Sequence, residues 1–288
     1  MMNEREKLMY GIISNISETN APIVFKGALI TKLILQESGF KQIERATKDI
    51  DANWIGTPPT MDNLVDTINQ SLGELGKSFL AVSSREYGDT KSAGVSILEK
   101  ETMDEILSMD IDIKPVADSR IYYHGEAAIK GVLANEILVD KITACSSDAV
   151  YKWRTKDLID VFALSHCIQV NTQEIYNVSE KVKRKIQSFD AFYGRRQDLK
   201  HSYDKLKGIE GKPDFEKLYA YLSQFFKPFA NHERMEKIWD SKSVSWNERE
   251  KKMSMSDWKN LINNEKKGNP ISKQSGGMNR VIKEKTDR

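Results

Sequence analysis

Arg45-Ala46-Thr47-Lys48-Asp49-Ile50-Asp51-Ala52-Asn53-Trp54 is the stretch around which the chain is organised. Read as an extended strand, it sends the Asp49 and Asp51 carboxylates off one face, with Cα atoms about 6.6 Å apart at the usual strand rise. Two carboxylates so placed suit a hard divalent cation. A pair of Mg2+ ions roughly 3.5–4 Å apart is the usual device for in-line phosphoryl or nucleotidyl transfer, because the ions stabilise both the attacking and the leaving oxygens. Taken alone, Asp-x-Asp is more often a turn or a solvated strand. The flanking sequence decides between these readings.

On its N-terminal side, Leu8, Ile12, Ile13 and Ile16 predict a helix over 4–17, closed by Asn20 and Pro22. The apolar run Ile23-Val24-Phe25 reads as a short strand, Lys26-Gly27 as a turn, and Ala28 to Gln36 as a helix ended by Gly39. A glycine at a strand-to-helix turn lets the backbone approach a phosphate, and the free amides of the helix start attract negative charge. Taken alone, a single glycine is more often an ordinary strand-to-helix turn. On the C-terminal side, a helix is expected over Asp62–Leu75 and strands over Ser78–Arg85 and Gly94–Leu98. Met109-Asp110-Ile111-Asp112-Ile113 then alternates strictly, with the apolar residues on one face and both aspartates on the other. Pro115 ends that strand, which leaves Asp112 near its C-terminal end at the rim of a sheet. Beside the Asp49/Asp51 strand, Asp110 or Asp112 supplies a third carboxylate; alternation does not choose between them.

From about residue 131 strand signals give way to helices, so the reading divides the chain into an α/β region at 1–130, a helical region at 131–264 and a Lys-, Asn-, Gly- and Ser-rich tail at 265–288 with the composition of a disordered segment. Lys141 sits in the apolar stripe of a helix over Ala134–Ser146, where its ammonium must snorkel out or meet an anion. The next helix, Thr155–Cys167, has Thr155 as its expected N-cap; Asp157 points inward more than Asp160, which reads as an edge residue, and Arg154 precedes both. Between Lys181 and Lys212 stand ten Lys or Arg against four Asp or Glu, with Phe189, Phe192, Tyr193 and Tyr203 interleaved. Such a stretch contacts nucleic-acid phosphates and bases, or forms two helices with solvated outer faces. Phe215–Phe229 reads as a packed helix, and Trp239, Trp246 and Trp258 as anchors of further short helices.

Composition narrows the class. The chain has 288 residues, a formal net charge of +2 and 30% charged residues, as a well-solvated globular protein does. No run of eighteen apolar residues and no export signal is evident, so a cytoplasmic protein without membrane spans is expected. Two cysteines, Cys145 and Cys167, both expected to be buried and neither in a CxxC, argue against a disulfide framework or a zinc site.

Four features in this order resemble the AbiEii toxin family of nucleotidyltransferases, within the DNA polymerase β-like superfamily. They are Phe25-Lys26-Gly27-Ala28 before a helix, the Arg-x-Thr-x-Asp-Ile-Asp run at 45–51, the strand ending Asp110-Ile111-Asp112, and Glu136 to Ile142 leading through Arg154 to Lys156-Asp157-Leu158-Ile159-Asp160. The resemblance implies an α+β fold in which a mixed sheet with flanking helices is followed by a helical half. It implies Mg2+-dependent transfer of a nucleoside monophosphate from an NTP, with two metal ions and Mn2+ as the alternative. Asp49, Asp51 and Asp112 would hold the metals; Asp112 would help deprotonate the acceptor; Lys141 and Asp157 would complete the catalytic set. Lys26, Gly27, Ala28, Arg45, Thr47, Lys141, Arg154, Asp157 and Asp160 would bind the nucleotide. An RNA acceptor, tRNA in particular, and a cognate antitoxin as genetic partner are implied, in a bacterial toxin–antitoxin or phage-abortive system. The chain departs from the family where Gly27-Ala28-Leu29 replaces two glycines and a Thr or Ser, which is expected to alter nucleotide affinity. Two other readings stay open: a protein or small-molecule acceptor, and a non-catalytic nucleotide binder that keeps the fold.

Overall fold

Ile23–Phe25 and the Asp-x-Asp stretch pair with each other at the centre of a sheet. The computed structural model describes residues 4–45, 49–87 and 91–248, all within one compact unit. Thr47, Trp258 and the expected tail at 265–288 lie outside the described residues, and so does the side chain of Arg45.

The first elements are α1 (Glu4–Glu18), β1 (Ile23–Lys26), α2 (Gly27–Glu37), β2 (Glu44–Arg45), β3 (Asp49–Trp54) and α3 (Met61–Ser71). Then come β4 (Phe79–Arg85), β5 (Ser92–Glu99), β6 (Glu105–Asp112), β7 (Ser119–His124) and β8 (Ala127–Val132). The second half holds α4 (Ala134–Ser146), α5 (Val150–Trp153), α6 (Thr155–Cys167), α7 (Thr172–Lys181), α8 (Asp190–Gly194) and α9 (Arg196–Asp204). It ends with β9 (Ile209–Glu210), α10 (Phe215–Ala230), β10 (Lys237–Asp240) and β11 (Ser245–Glu248). The expected plan, a mixed sheet with flanking helices followed by a helical half, is the observed one.

Seven strands form the sheet in the order β4-β5-β6-β3-β1-β8-β7. Strand β3 runs antiparallel to β1 and parallel to β6, and β1 runs parallel to β8. The period of two then sorts the side chains. Ile50, Ala52, Met109 and Ile111 go down into the core, while Asp49, Asp51, Asn53, Asp110 and Asp112 share the opposite face. Helix α1 packs on β8, and α2 packs on β3 and against α4 and α6, so the two halves of the chain share one core. Each fully buried Ile or Leu of that core contributes about 1.5–3 kcal/mol.

Four local expectations are corrected. The helix expected over Asp62–Leu75 stops at Ser71, and Gly73 at φ +55 turns the chain into a single 3-10 segment, Gly73–Lys77. Strands β7 and β8 stand where no strand was expected. Trp239 and Trp246 face each other across the β10–β11 hairpin instead of anchoring helices, and pack on Phe225 of α10. Thr155 is not an N-cap: it is the first residue of α6, is buried, and its hydroxyl donates to the Val150 carbonyl. Of the cysteines, both free, Cys145 is buried as expected and Cys167 only half-buried. Among the described residues no helix is long and apolar enough to cross a membrane.

Candidate active site

The turn after β1 and the Asp-x-Asp strand are fitted to each other. The Lys26↔Asp51 register sets Asp51 directly beside the turn, and Gly27 takes φ +67 to start α2 at once. A Cβ on Gly27 would stand 2.2 Å from Asp51 Oδ2 and 2.9 Å from Asp51 Cβ, so backbone and carboxylate meet with no room for a side chain. Gly27→Ala is therefore expected to cost about 1–2 kcal/mol in backbone strain and to push the Asp51 carboxylate aside. With the turn acting as the phosphate cradle the sequence leads one to expect, nucleotide affinity should weaken by about tenfold or more in isothermal titration; an unchanged affinity would show that this contact is mere packing.

On the other side of β3, Asp51 pairs with Asp110 and Asn53 with Asp112. Of the two aspartates of β6, Asp110 is half-buried and held by Arg85 at 2.7 Å. Asp112 accepts from both Lys26 and Lys114, each at 2.7 Å. Burial alone would raise the Asp112 carboxyl, but the two lysines outweigh it and hold the group below the usual carboxylate range. At Asp51 the balance goes the other way: burial wins over the pull of Lys26 and Lys141, Asp110 and Asp112 add to it, and the carboxyl is raised.

The helical half closes the site from above. Lys141 does not snorkel out; it bonds Asp157 Oδ1 at 2.7 Å and Asp160 Oδ2 at 2.8 Å, with only 12% of its side chain exposed. Asp157 points inward, as expected, with its side chain 1% exposed, but Asp160 is also buried instead of lying at a solvated edge. Arg154 approaches the remaining Asp157 oxygen at 3.7 Å, and among the described residues nothing donates a hydrogen bond to that oxygen.

Lys26, Gly27, Asp51, Asp112, Lys141, Arg154 and Asp157 line one cavity of about 380 Å3 between the sheet and α4. Asp49, at the exposed start of β3, shares their face but does not line it. Ala28 and Asp160 line a neighbouring cavity of about 320 Å3 between α2 and α6. Sequence reasoning missed Lys114, Thr143, Ser147, Arg184 and Gln187, which also border the first cavity. Only proximity in the fold reveals them. Among the described residues, no group of three or more His, Cys, Asp or Glu side chains is gathered closely enough to hold a metal ion.

Glu136, in the first turn of α4, ties this roof to the segment that follows Asp112. Its buried Oε2 accepts from the Ala117 amide at 2.8 Å. Burial, offset in part by that bond, pushes its carboxyl up to about 7. The folded chain thus holds a proton that the unfolded chain releases near the ordinary glutamate value, so this group's contribution to stability falls as pH rises from about 4.5 to about 7. Glu136→Gln keeps the acceptor and removes the titration. Thermal melts at pH 5 and pH 8 should show the variant gaining on the parent at the higher pH; parallel pH profiles would refute the assignment.

The basic stretch at 181–212 divides in two. In α8 and α9 the aromatics Phe192 and Tyr203 are buried, while Arg195, Arg196 and Lys200 are paired with Asp198, Glu216 and Asp204 on a solvated face. Lys183, Arg184 and Lys185 instead border a further cavity.

The profile described as "Nucleotidyl transferase AbiEii toxin, Type IV TA system" matches residues 8–241. The chain belongs to the AbiEii family. It is thereby a nucleotidyltransferase-superfamily protein of the toxin type found in type IV toxin–antitoxin systems. No curated protein sequence matches this AbiEii chain. Among solved structures it is similar to JHP933 from Helicobacter pylori, at 16% identity and TM-score 0.48, over 81% of this chain and 94% of that one. It is also similar to MenT4, a nucleotidyltransferase toxin from Mycobacterium tuberculosis H37Rv, at 13% identity and TM-score 0.38, over 79% of this chain and 90% of that one.

Proposed function

We propose that this chain transfers a nucleoside monophosphate from an NTP to a hydroxyl of an RNA, tRNA in particular, as the cytoplasmic toxin of a toxin–antitoxin pair. The observation that carries the reading is the fit of Gly27 against Asp51 in a cavity that also holds Asp112. A phosphate cradle and two carboxylates then face the same space. The amides at the start of α2 attract the triphosphate, aided by Lys26 and Lys141. Asp112, kept ionised by its lysines, accepts the proton of the attacking hydroxyl. The acceptor oxygen bonds to the α-phosphorus, the bond to the bridging oxygen breaks, and pyrophosphate leaves.

The donors suit a hard cation: the carboxylates of Asp49 and Asp51, which leave one face of β3, would hold it, with Asp112 of β6 on the same face of the sheet as the third ligand. Bound Mg2+, or Mn2+, supplies charge stabilisation of the phosphoryl oxygens. The altered turn is compatible with this role, since Ala28 faces the neighbouring cavity and leaves the Gly27 contact intact.

Incubation of the purified chain with each α-32P-labelled NTP, Mg2+ and total bacterial RNA tests the proposal. Label in a tRNA-sized band is the expected result. Label in protein alone, or nowhere, would overturn the RNA acceptor.

A further inference from the structure

The polypeptide that leaves α7 is built to display cations. Val182 and Ile186 are buried, and between them Lys183 takes φ +55, so the chain turns sharply and presents Lys183, Arg184 and Lys185 in succession. Ser179 fixes the turn: its carbonyl accepts from the Arg184 amide at 2.8 Å and its hydroxyl donates to the Arg184 carbonyl. Across from them the segment after α10 brings His232, itself at φ +51, and Arg234, whose guanidinium lies 4.4 Å over the Tyr176 ring. Together these residues enclose a cavity of about 370 Å3.

Its charge is one-sided. Four cations, Lys183, Arg184, Lys185 and Arg234, face one anion, Glu180, on a chain whose formal net charge is only +2. Among the described residues no ion pair engages Lys183 or Lys185. The Arg234–Glu180 pair spans 3.6 Å with both side chains more than 60% exposed, so solvent screens it. Arg184 is the link. It borders this cavity and the candidate active site alike, and its Nε donates to Asp140 at 2.8 Å on the active-site side. A cationic path therefore leads from the surface into the site, with a guanidinium–aromatic stack along it on which a base can lie.

We propose that this cavity holds the backbone of single-stranded RNA and guides its terminal nucleotide past Arg184 to the active site. The assignment rests on the RNA-directed reading above and locates the acceptor strand, with Lys183, Lys185 and Arg234 contacting phosphates. A strand at three phosphates should give a slope of about −2 in log K against log salt, at about 0.7 per contact for single strands.

The test is fluorescence anisotropy with a 5′-labelled oligoribonucleotide over a range of salt, on the full chain and on Lys183→Glu/Lys185→Glu, with NTP affinity and circular dichroism measured in parallel. RNA affinity in the variant should fall by about tenfold or more and the salt slope should flatten by about 1.4, while NTP affinity and the spectrum stay those of the parent. Equal RNA binding by parent and variant would overturn the location and leave RNA transfer standing. Absence of RNA binding by the parent, with label passing to protein in the transfer assay, would overturn both. A charge-reversed chain that binds NTP as the parent does is folded, so a loss confined to RNA reports the strand contact.

Discussion

Asp51→Asn is expected to reduce nucleotidyl transfer by about a thousandfold or more while leaving the melting temperature unchanged or slightly raised. The two effects have one origin. Asp51 is a carboxylate that the fold makes costly: burial raises it, Asp110 and Asp112 add to the penalty, and the lysines do not recover the difference. A neutral amide of the same shape removes that penalty. It also removes an anionic oxygen from the point where the Gly27 turn meets the sheet face. Charge stabilisation by a bound metal contributes several kcal/mol, and each 1.36 kcal/mol is a factor of ten in rate. Transfer of label to RNA under single-turnover conditions, with a thermal melt on the same sample, measures both. A variant that retains activity within fivefold would remove Asp51 from the mechanism and favour the non-catalytic reading.

Lys141→Met should have the largest effect on stability. The ammonium stands between two buried carboxylates, Asp157 and Asp160, and a methionine fills its volume without its charge. Removing one partner of a buried ion pair costs about 3–5 kcal/mol, because the charge left behind is uncompensated. For a chain of this size that is a fall of about 10 °C in melting temperature. Burial alone would lower the Lys141 value, but Asp160 and Asp157 raise it well above the ordinary lysine range. The contribution of the parent's lysine is therefore fully present below the ordinary lysine value and is lost only at higher pH. Adding Asp160→Asn should restore part of the loss. A deficit below about 1 kcal/mol at pH 8 would show that the triad is solvated and that α4 and α6 are held by apolar packing alone.

The parts of the site legible in the sequence are those with local signatures. Alternation in Asp49-Ile50-Asp51 and Met109 to Ile113 fixed which side chains share a face, and a glycine between an apolar run and a helix marked the turn. Lys141 was visible as a charge in an apolar stripe, but its partners were not, because α6 is buried on more than one side and a helical wheel assumes a single core-facing stripe. That is why Asp160 read as an edge residue. Strands β7 and β8 escaped for a similar reason. In β7 Arg120, Ile121 and Tyr123 are exposed while Tyr122 is buried, so hydrophobicity does not follow burial; the available signal was Gly125 at φ +59 between two short runs of strand-forming residues. Lys114 follows β6 while Arg184 and Gln187 share the connection between α7 and α8, and nothing local distinguishes them from solvated surface residues. Arg45, Thr47 and Asp49 complete the motif in sequence, and of these Asp49 shares the face of Asp51 without lining the cavity.

Asp112 carries its own counter-ions. With Lys26 reaching it from β1 and Lys114 from two residues downstream, the acidic rim of the sheet is neutralised by side chains of the same polypeptide. The sheet can therefore assemble without a divalent ion at Asp112, and a cation recruited there would have to displace two tethered ammonium groups. Cation occupancy would then follow the ionic composition of the surroundings and not the folding of the chain.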